Sequence, residues 1–164
     1  MSRADLLDVN VWLALAHVHH PHHAAAKQYW SSATVPLAFC RVSMQGFLRL
    51  VTQPKVMGNA VHTPAEAWRI YTAHLASGRS VLLPESKGIE TVWQRLTTAT
   101  GFHTGDGTDA CFASSAIQAD CRMVSFDAGF ARYQKVGPSQ DVALNFLHLK
   151  PELEGVVSTL GATP

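Results

Sequence analysis

The chain has 164 residues, enough for one domain with a full hydrophobic core and too few for two domains of ordinary size. Hydrophobic residues make up 47% of the chain and charged residues 15%, which excludes an intrinsically disordered protein. Lysine and arginine number 13 against 12 for aspartate and glutamate, so no overall basic charge marks a nucleic-acid partner, and a polyanion would be held by local groups.

Short apolar runs alternate with stretches of helical spacing along the first half of the chain. We predict a strand at residues 4–7, a helix at 10–16, a histidine-rich turn, a helix at 22–32, a strand at 37–40 and a helix at 42–52. A proline, a glycine and an asparagine then indicate a loop over residues 54–59. Thr63, Pro64 and Glu66 are typical of a helix start, because proline suits the first helical position and the acid can bond back to the cap.

The second half continues the alternation. We predict a helix at 64–75, a strand at 81–83, a helix at 88–97, a loop at 101–107, a helix at 108–120 with Thr108 as its N-cap, a strand at 122–125, a helical turn at 128–133 and a strand at 142–147. Five strands alternating with helices predict an α/β fold: a single domain over residues 1–150 with a central five-stranded parallel sheet and helices on both faces. Residues 151–164 are predicted to form a C-terminal tail.

Three aspartates stand where such a fold collects its ligands. Asp8 ends the first predicted strand, Asp127 follows the fourth, and Asp109 lies in the first turn of a helix. The carboxyl ends of parallel strands meet at one edge of the sheet, where ligands bind in the crevice. Carboxylate oxygens are the ligands that Mg²⁺ or Mn²⁺ prefers. The spacing therefore predicts a divalent-metal site and metal-assisted phosphodiester chemistry, with Asp106 as a further candidate ligand.

Each aspartate also has an alternative role when it is considered alone. Asp8 could cap the following helix, Asp109 could complement a helix dipole, and Asp127 could be an ordinary turn residue. Their joint placement favours a shared site.

Four blocks of sequence carry a resemblance to a known family. They are LLDVNVWLAL at residues 6–15, residues 40–50 with GFLRL, TDACFA at 108–113 and VSFDAGF at 124–130. In order and separation these blocks resemble PIN-domain ribonucleases, and most closely the VapC toxins of bacterial toxin-antitoxin pairs, over roughly the first 150 residues. The resemblance implies a Mg²⁺- or Mn²⁺-dependent endoribonuclease whose metal ligands are Asp8, Asp109 and Asp127. Asn10 and Ser125 match polar positions that support the metal or its waters.

The resemblance also implies partners and further contacts. RNA would be the substrate, cut to leave a 5′-phosphate and a 3′-hydroxyl, and a small cognate antitoxin would insert a segment near the acids. A homodimer is a further expectation of the family. Arg49 would steady the scissile phosphate or a carboxylate, with a buried structural ion pair as an equal alternative.

No apolar segment is long enough to span a bilayer, which predicts a cytoplasmic location and no membrane partner.

The chain departs from the family pattern at the start of its third helix. Many members carry a glutamate where this chain has Ser43-Met44-Gln45-Gly46, with Met44 at the position of the missing acid. Gln45 could hold a water or a ligand oxygen but brings no charge. The departure motivates a second hypothesis, a catalytically weak PIN-type RNA-binding or regulatory protein. A third, a phosphatase-like hydrolase with Asp8 as nucleophile, needs an acid at position 10, where asparagine stands.

Histidines and cysteines offer a further chemistry that we weigh against simpler roles. The histidine cluster consists of His17, His19, His20, His22 and His23. It lacks a partner cysteine or an HExxH helix, so a solvated connection between two helices is favoured over a transition-metal site. Cys40, Cys111 and Cys121 have no CxxC spacing, which predicts small buried residues rather than disulfides or a zinc site.

Overall fold

The five predicted strands form one parallel sheet. The structure is a computed structural model, and it describes residues 3–99, 101–136 and 142–150. The strands are β1 (Asp5–Leu7), β2 (Leu37–Phe39), β3 (Ser80–Leu82), β4 (Arg122–Ser125) and β5 (Phe146–His148). All four pairings are parallel and the spatial order is β3-β2-β1-β4-β5, so β1 lies at the centre of the sheet. The prediction of a five-stranded parallel α/β fold is confirmed, although the last strand begins later than predicted, at Phe146.

Helices connect the strands. They are α1 (Val9–Ala16), α2 (His23–Ser32), α3 (Arg41–Leu50), α4 (Pro54–Met57), α5 (Pro64–Ala76), α6 (Ile89–Thr97) and α7 (Gly107–Gln118). Short 3₁₀ segments lie at Gly58–Ala60, Thr104–Asp106 and Ala128–Gln134. Among the described residues, no helix combines the length and apolar character needed to cross a bilayer. The predicted tail at 151–164 lies outside the described residues.

Two local predictions are wrong and one is confirmed. The predicted loop over residues 54–59 is mostly helical, because Pro54 stands at the first helical position of α4 and suits a helix start. The N-cap of α7 is Asp106 instead of Thr108, because the 3₁₀ turn before it runs directly into the helix. The start of α5 is as predicted: Thr63 and Glu66 form a capping box, each side chain accepting from the other's backbone N–H.

Apolar residues on both faces of the sheet are covered by helices. Leu6 of β1 packs in a core with Leu96 of α6 and Phe112 of α7. Leu7, the next residue, packs on the other face with Trp12 of α1 and other residues of α1, α3 and α5. Neighbouring residues of a strand point to opposite faces, which explains the two cores. The prediction of helices on both faces is thus confirmed.

All three cysteines are free thiols. Cys40 and Cys121 are buried as predicted, whereas Cys111 is only partly buried.

A buried ion pair lies at the amino end of the sheet. Asp5 begins β1 and is 1% exposed, and Arg122, which begins β4, donates to both of its carboxylate oxygens at 2.9 and 2.7 Å. The Tyr29 hydroxyl of α2 also donates to Asp5. The three side chains connect two central strands to a helix. They lie at the amino end of the sheet, whereas Asp8 lies at the carboxyl end.

Candidate active site

Asp8 occupies the junction between the central strand and the first helix. Its Oδ1 accepts from the backbone N–H of Val9 at 2.6 Å, so Asp8 is the N-cap of α1. Its Oδ2 accepts from the hydroxyl of Ser125, the last residue of the adjacent strand β4, at 2.6 Å. One carboxylate therefore caps a helix and also faces the carboxyl edge of the sheet, so the two roles considered for it are compatible.

Ser125 and Asn10 hold this carboxylate in place. The Ser125 hydroxyl oxygen is fully buried and accepts from Asn10 Nδ2 and from the backbone N–H of Asp127, both at 2.9 Å. Asn10 Oδ1 in turn accepts from the backbone N–H of Phe126 at 3.3 Å. Because the hydroxyl accepts these two bonds, its own proton is directed at Asp8. The structure thus brings together Asp8 with both of the predicted supporting residues.

Asp109 and Asp106 share a counter-ion that sequence analysis missed. Arg132 donates from Nη2 to Asp109 Oδ2 and from Nη1 to Asp106 Oδ2, each at 2.9 Å. Arg132 lies in the 3₁₀ segment that follows Asp127, whose own Oδ1 accepts from Gly129 N–H at 2.7 Å. The sequence indicates only that a turn of helix follows Asp127. That pattern does not predict which distant residue an arginine in the turn would contact.

The charges of these carboxylates act on one another. Burial raises the pKa of Asp8, the bonds from Ser125 and Val9 oppose the rise, and repulsion from Asp109 and Asp127 adds to it, so that the pKa is about 6. Burial also raises the pKa of Asp109, Arg132 opposes that rise, and repulsion from Asp127 and Asp106 adds to it. The aspartates therefore sense one another's charge, as expected if they surround a common space, and a cation placed there would relieve the repulsion.

A cleft of about 440 Å³ opens over Asp8 and Asp109, and α3 forms one side of it. Gln45 and Arg49 of α3 both line this cleft, and a contact of either with a substrate stays a prediction. Met44 is 8% exposed and packs in the core, so the polar side chain that faces the acids from α3 is Gln45. Arg49 is exposed and forms no ion pair with the described residues, so the alternative of a buried structural pair is wrong.

The described aspartate side chains do not form a complete metal-binding site in this conformation. Within the described ranges, no three His, Cys, Asp or Glu side chains lie close enough together to hold an ion. One reason lies in the ion pair of Asp109, which directs an oxygen at Arg132. The donor chemistry nevertheless suits a hard cation, because the candidate ligands are carboxylates that repel one another.

The histidine cluster forms the connection between α1 and α2 without converging on a metal position. It contains no group of three potential ligands among the described residues. The ring of His22 stacks on Phe126 with 4.5 Å between centroids, and His23 bonds to the carbonyl of Ala14. The predicted connection between two helices is confirmed, although four of the five histidines are partly buried instead of freely solvated.

Comparison with known proteins agrees with the fold. Residues 6–136 match the PIN domain family, which is most of the chain. The chain therefore belongs to the PIN domain family. Within that family it is similar to Ribonuclease VapC41 of Mycobacterium tuberculosis, with 34% identity over 134 residues that cover 78% of this chain and 92% of the relative. It is also similar to Ribonuclease VapC38 of the same organism, with 33% identity, covering 85% and 96% of the two chains.

Solved structures share the fold at low sequence identity. One is VapBC2 from Rickettsia felis bound to a DNA fragment from their promoter, with a TM-score of 0.61 and 13% identity, covering 90% of this chain and 99% of that chain. Another is the Mycobacterium tuberculosis VapC20, a sarcin-ricin loop cleaving toxin, with a TM-score of 0.59 and 16% identity, covering 78% and 93%. The arrangement of strands and helices described above is thus the arrangement of this family.

Proposed function

We propose that this protein is a metal-dependent endoribonuclease that acts as the toxin of a toxin-antitoxin module. The observation that carries the proposal is electrostatic: the charges of Asp109 and Asp127 add to the rise in the pKa of Asp8 that burial causes, and Asp8 and Asp109 line the same cleft. The similarity to VapC ribonucleases over most of the chain supports RNA as the substrate.

Asp8, Asp109 and Asp127 would hold Mg²⁺ or Mn²⁺, joined by Asp106 if Arg132 releases it. The bound ion would supply positive charge against the anionic phosphate and would lower the pKa of a water molecule. One aspartate would orient the attacking water and accept its proton. Ser125 and Asn10 would keep Asp8 in position for this task, and Arg49 would pair with a phosphate oxygen in the cleft.

The test is cleavage of single-stranded and structured RNA by the pure protein in Mg²⁺ or Mn²⁺, with EDTA as the metal-free control. We expect Asp8→Asn and Asp109→Asn each to lower the cleavage rate by at least about 100-fold, since a group that moves protons or holds the metal is lost. Asp120→Asn is the matched control, because Asp120 lies at the far end of α7 with a φ of 53° that asparagine also adopts. Equal rates in all three variants would contradict the proposal.

A catalytically weak RNA-binding or regulatory protein is the second candidate. It is favoured by Gln45, a neutral side chain on the face of α3 towards the acids, and by Arg132, which already pairs with Asp109. Metal and RNA binding without turnover, by protein free of antitoxin and across several RNAs including tRNA and rRNA fragments, would support this candidate over the nuclease.

The partners are further parts of the proposal. A small antitoxin encoded next to this chain would cover the acidic cleft. Expression of this protein would arrest growth, and either co-expression of the antitoxin or the Asp8→Asn substitution would abolish the arrest. A homodimer would appear in light scattering as twice the mass of the chain. The cytoplasmic location also stays a prediction.

A further inference from the structure

A second cavity lies next to the acidic cleft, and the function proposed above assigns no ligand to it. It measures about 650 Å³, which is within the range of small-molecule sites in proteins. Arg132 joins the two spaces, because it bonds to Asp106, which lines this cavity, and to Asp109, which lines the acidic cleft. A ligand in the cavity would therefore be separated from the acids of the cleft by the Arg132 guanidinium.

Apolar and cationic side chains divide the wall of this cavity. Leu96, Phe102, Tyr133 and Val136 provide apolar and aromatic surface, and Phe102 is only partly buried, so part of its ring is open to a ligand. Lys135 is exposed at the wall and carries a charge that is bonded to no described acid.

Among the described residues, Asp106 is the carboxylate in the wall of the cavity, and it is engaged in an ion pair. Asp106 is bonded to Arg132 at 2.9 Å, and the positive charge of Arg132 is shared between Asp106 and Asp109. The Arg132 guanidinium also lies 5.0 Å from the centre of the Tyr133 ring, which helps to fix its position. Of the described residues that line the cavity, Arg132 and Lys135 are cationic and Asp106 is anionic, so cationic groups lie beside an aromatic surface, which is the combination that binds single-stranded nucleic acid.

We propose that this cavity binds one nucleotide of the RNA strand, next to the nucleotide whose phosphodiester bond is cut. Its base packs against Phe102, and its phosphate lies near Lys135 and Arg132. The proposal rests on the function proposed above, since it takes RNA as the substrate. A partly exposed ring accepts any base, so the cavity contributes affinity and directs the strand across the acids without demanding one sequence.

The test measures RNA binding separately from cleavage. A fluorescein-labelled single-stranded RNA of ten nucleotides is titrated by anisotropy in EDTA, where no metal-dependent cleavage occurs, and the cleavage rate is then measured in Mg²⁺. We expect Phe102→Ala to raise the Kd by at least about fivefold, the lower limit for loss of one stacked base. Phe102→Leu, which keeps apolar bulk and protects the fold, has a similar but smaller effect.

Lys135→Ala tests the role of the lysine in binding a phosphate. It weakens binding, and the slope of log Kd against log salt concentration falls by about 0.7, as expected when one phosphate fewer is neutralised on a single strand. In cleavage, both sets of variants raise KM while kcat stays near the wild-type value, because neither residue contacts the acids. Trp68→Ala and Lys55→Ala are matched controls on exposed parts of α5 and α4, and they leave Kd unchanged.

The outcomes separate the cavity from the nuclease. If the wild-type protein binds and cuts RNA but the Phe102 and Lys135 variants bind like their controls, the nucleotide site is wrong and the proposed function stands. Loss of antitoxin binding without loss of RNA binding would also overturn the site, because the cavity would then belong to the protein partner. If the wild-type protein neither binds nor cuts any RNA, both proposals fall.

Discussion

Asp8 shows how one side chain can serve the fold and the site together. As N-cap it satisfies a backbone N–H of α1, and its second oxygen is held by Ser125. The same placement removes the carboxylate from water and exposes it to the charges of Asp109 and Asp127. An ionised Asp8 therefore costs folding free energy in the absence of a cation, because it is desolvated and repelled.

Replacing Asp8 by asparagine is expected to stabilise the metal-free protein at neutral pH. The folded-state pKa is about 6 against an ordinary value of 3.8, so the folded protein binds this proton more tightly than the unfolded chain does. Stability from Asp8 is therefore greatest below pH 4 and falls as the pH rises through 6. Asparagine keeps the cap but loses the bond from Ser125, so we expect a net gain of about 1–2 kcal/mol at pH 7.5.

Denaturation with urea in EDTA at pH 7.5 and pH 4 measures this gain. The gain should disappear at pH 4, where Asp8 is protonated in the folded protein, because this protonation stabilises wild type by about 2 kcal/mol relative to pH 7.5 and makes it at least as stable as Asp8→Asn. Asp120→Asn is the control, because Asp120 is exposed and its charge is not among those that raise the pKa of Asp8. A gain of the same size at both pH values would contradict the argument.

Arg132 limits how readily the acids can bind a cation. It pairs with Asp106 and Asp109 at once, and any metal ion that takes Asp109 must compete with this guanidinium. We expect Arg132→Ala to tighten Mg²⁺ binding by about 2- to 10-fold, which corresponds to the loss of one or two partly exposed ion pairs. Isothermal titration calorimetry at pH 7.5 measures the change, and Arg69→Ala on exposed α5 is the control. Unchanged or weaker Mg²⁺ binding would show that Arg132 does not compete.

At the scale of elements, the contact between α1 and α3 sets the width of the acidic cleft. α3 carries Gln45 and Arg49, and α1 begins at Asp8. The helices meet where Gly46 faces Val9, and a Cβ atom at position 46 would lie 2.7 Å from Val9 Cγ2. A β-branched side chain such as valine has little freedom to move away, so glycine is needed here for close approach.

Gly46→Ala is expected to separate the two helices. Alanine alone would favour a helix by about 0.5–1 kcal/mol over glycine, yet we expect stability to fall by about 1–3 kcal/mol, because the new methyl group overlaps Val9. Cleavage should fall as well, since Gln45 and Arg49 move away from Asp8. Adding Val9→Ala makes room for the methyl group, so the double variant should recover part of both losses.

Thermal denaturation and the RNA cleavage assay check these outcomes. Gly107→Ala in α7 is the control, because a Cβ there meets no atom within 4 Å. If Gly46→Ala were as stable as this control, the close contact would not be limiting.

Element boundaries show where sequence reasoning succeeds. The positions of the strands could be predicted because apolar runs end where a polar residue follows, as Asp8 follows Leu7. The start of α5 could be predicted because Thr63 and Glu66 form a local motif. The start of α7 could not, since Thr108 and Asp106 are both good caps and the choice depends on a 3₁₀ turn that has no clear sequence signal.

At the scale of the whole molecule, the two ends of the sheet have different uses. Asp8 and Asp5 lie three residues apart on the same chain segment, but Asp8 faces the cleft and Asp5 is buried at the opposite end. Sequence could predict Asp8 because it ends a strand and the family pattern includes it. The pairing of Asp5 with Arg122 could not be predicted, because it joins residues more than 100 positions apart through the sheet register.

The Asp5–Arg122 pair should therefore affect stability without affecting the chemistry. Asp5→Asn leaves the Arg122 guanidinium without its charged partner, and breaking such a buried pair costs about 3–5 kcal/mol. Arg122 is partly exposed, so we expect a loss near the lower end, measured by urea denaturation. Without urea and well below the unfolding temperature, the cleavage rate per folded molecule should stay within a factor of two of the wild-type rate. This bound is equivalent to about 0.4 kcal/mol. Asp5→Leu with Arg122→Met removes both charges together and should recover stability, because two apolar side chains need no counter-ion. A large loss of cleavage in fully folded Asp5→Asn would mean that the two ends of the sheet are coupled, and that the register of β1 against β4 sets the position of Asp8 beside Ser125.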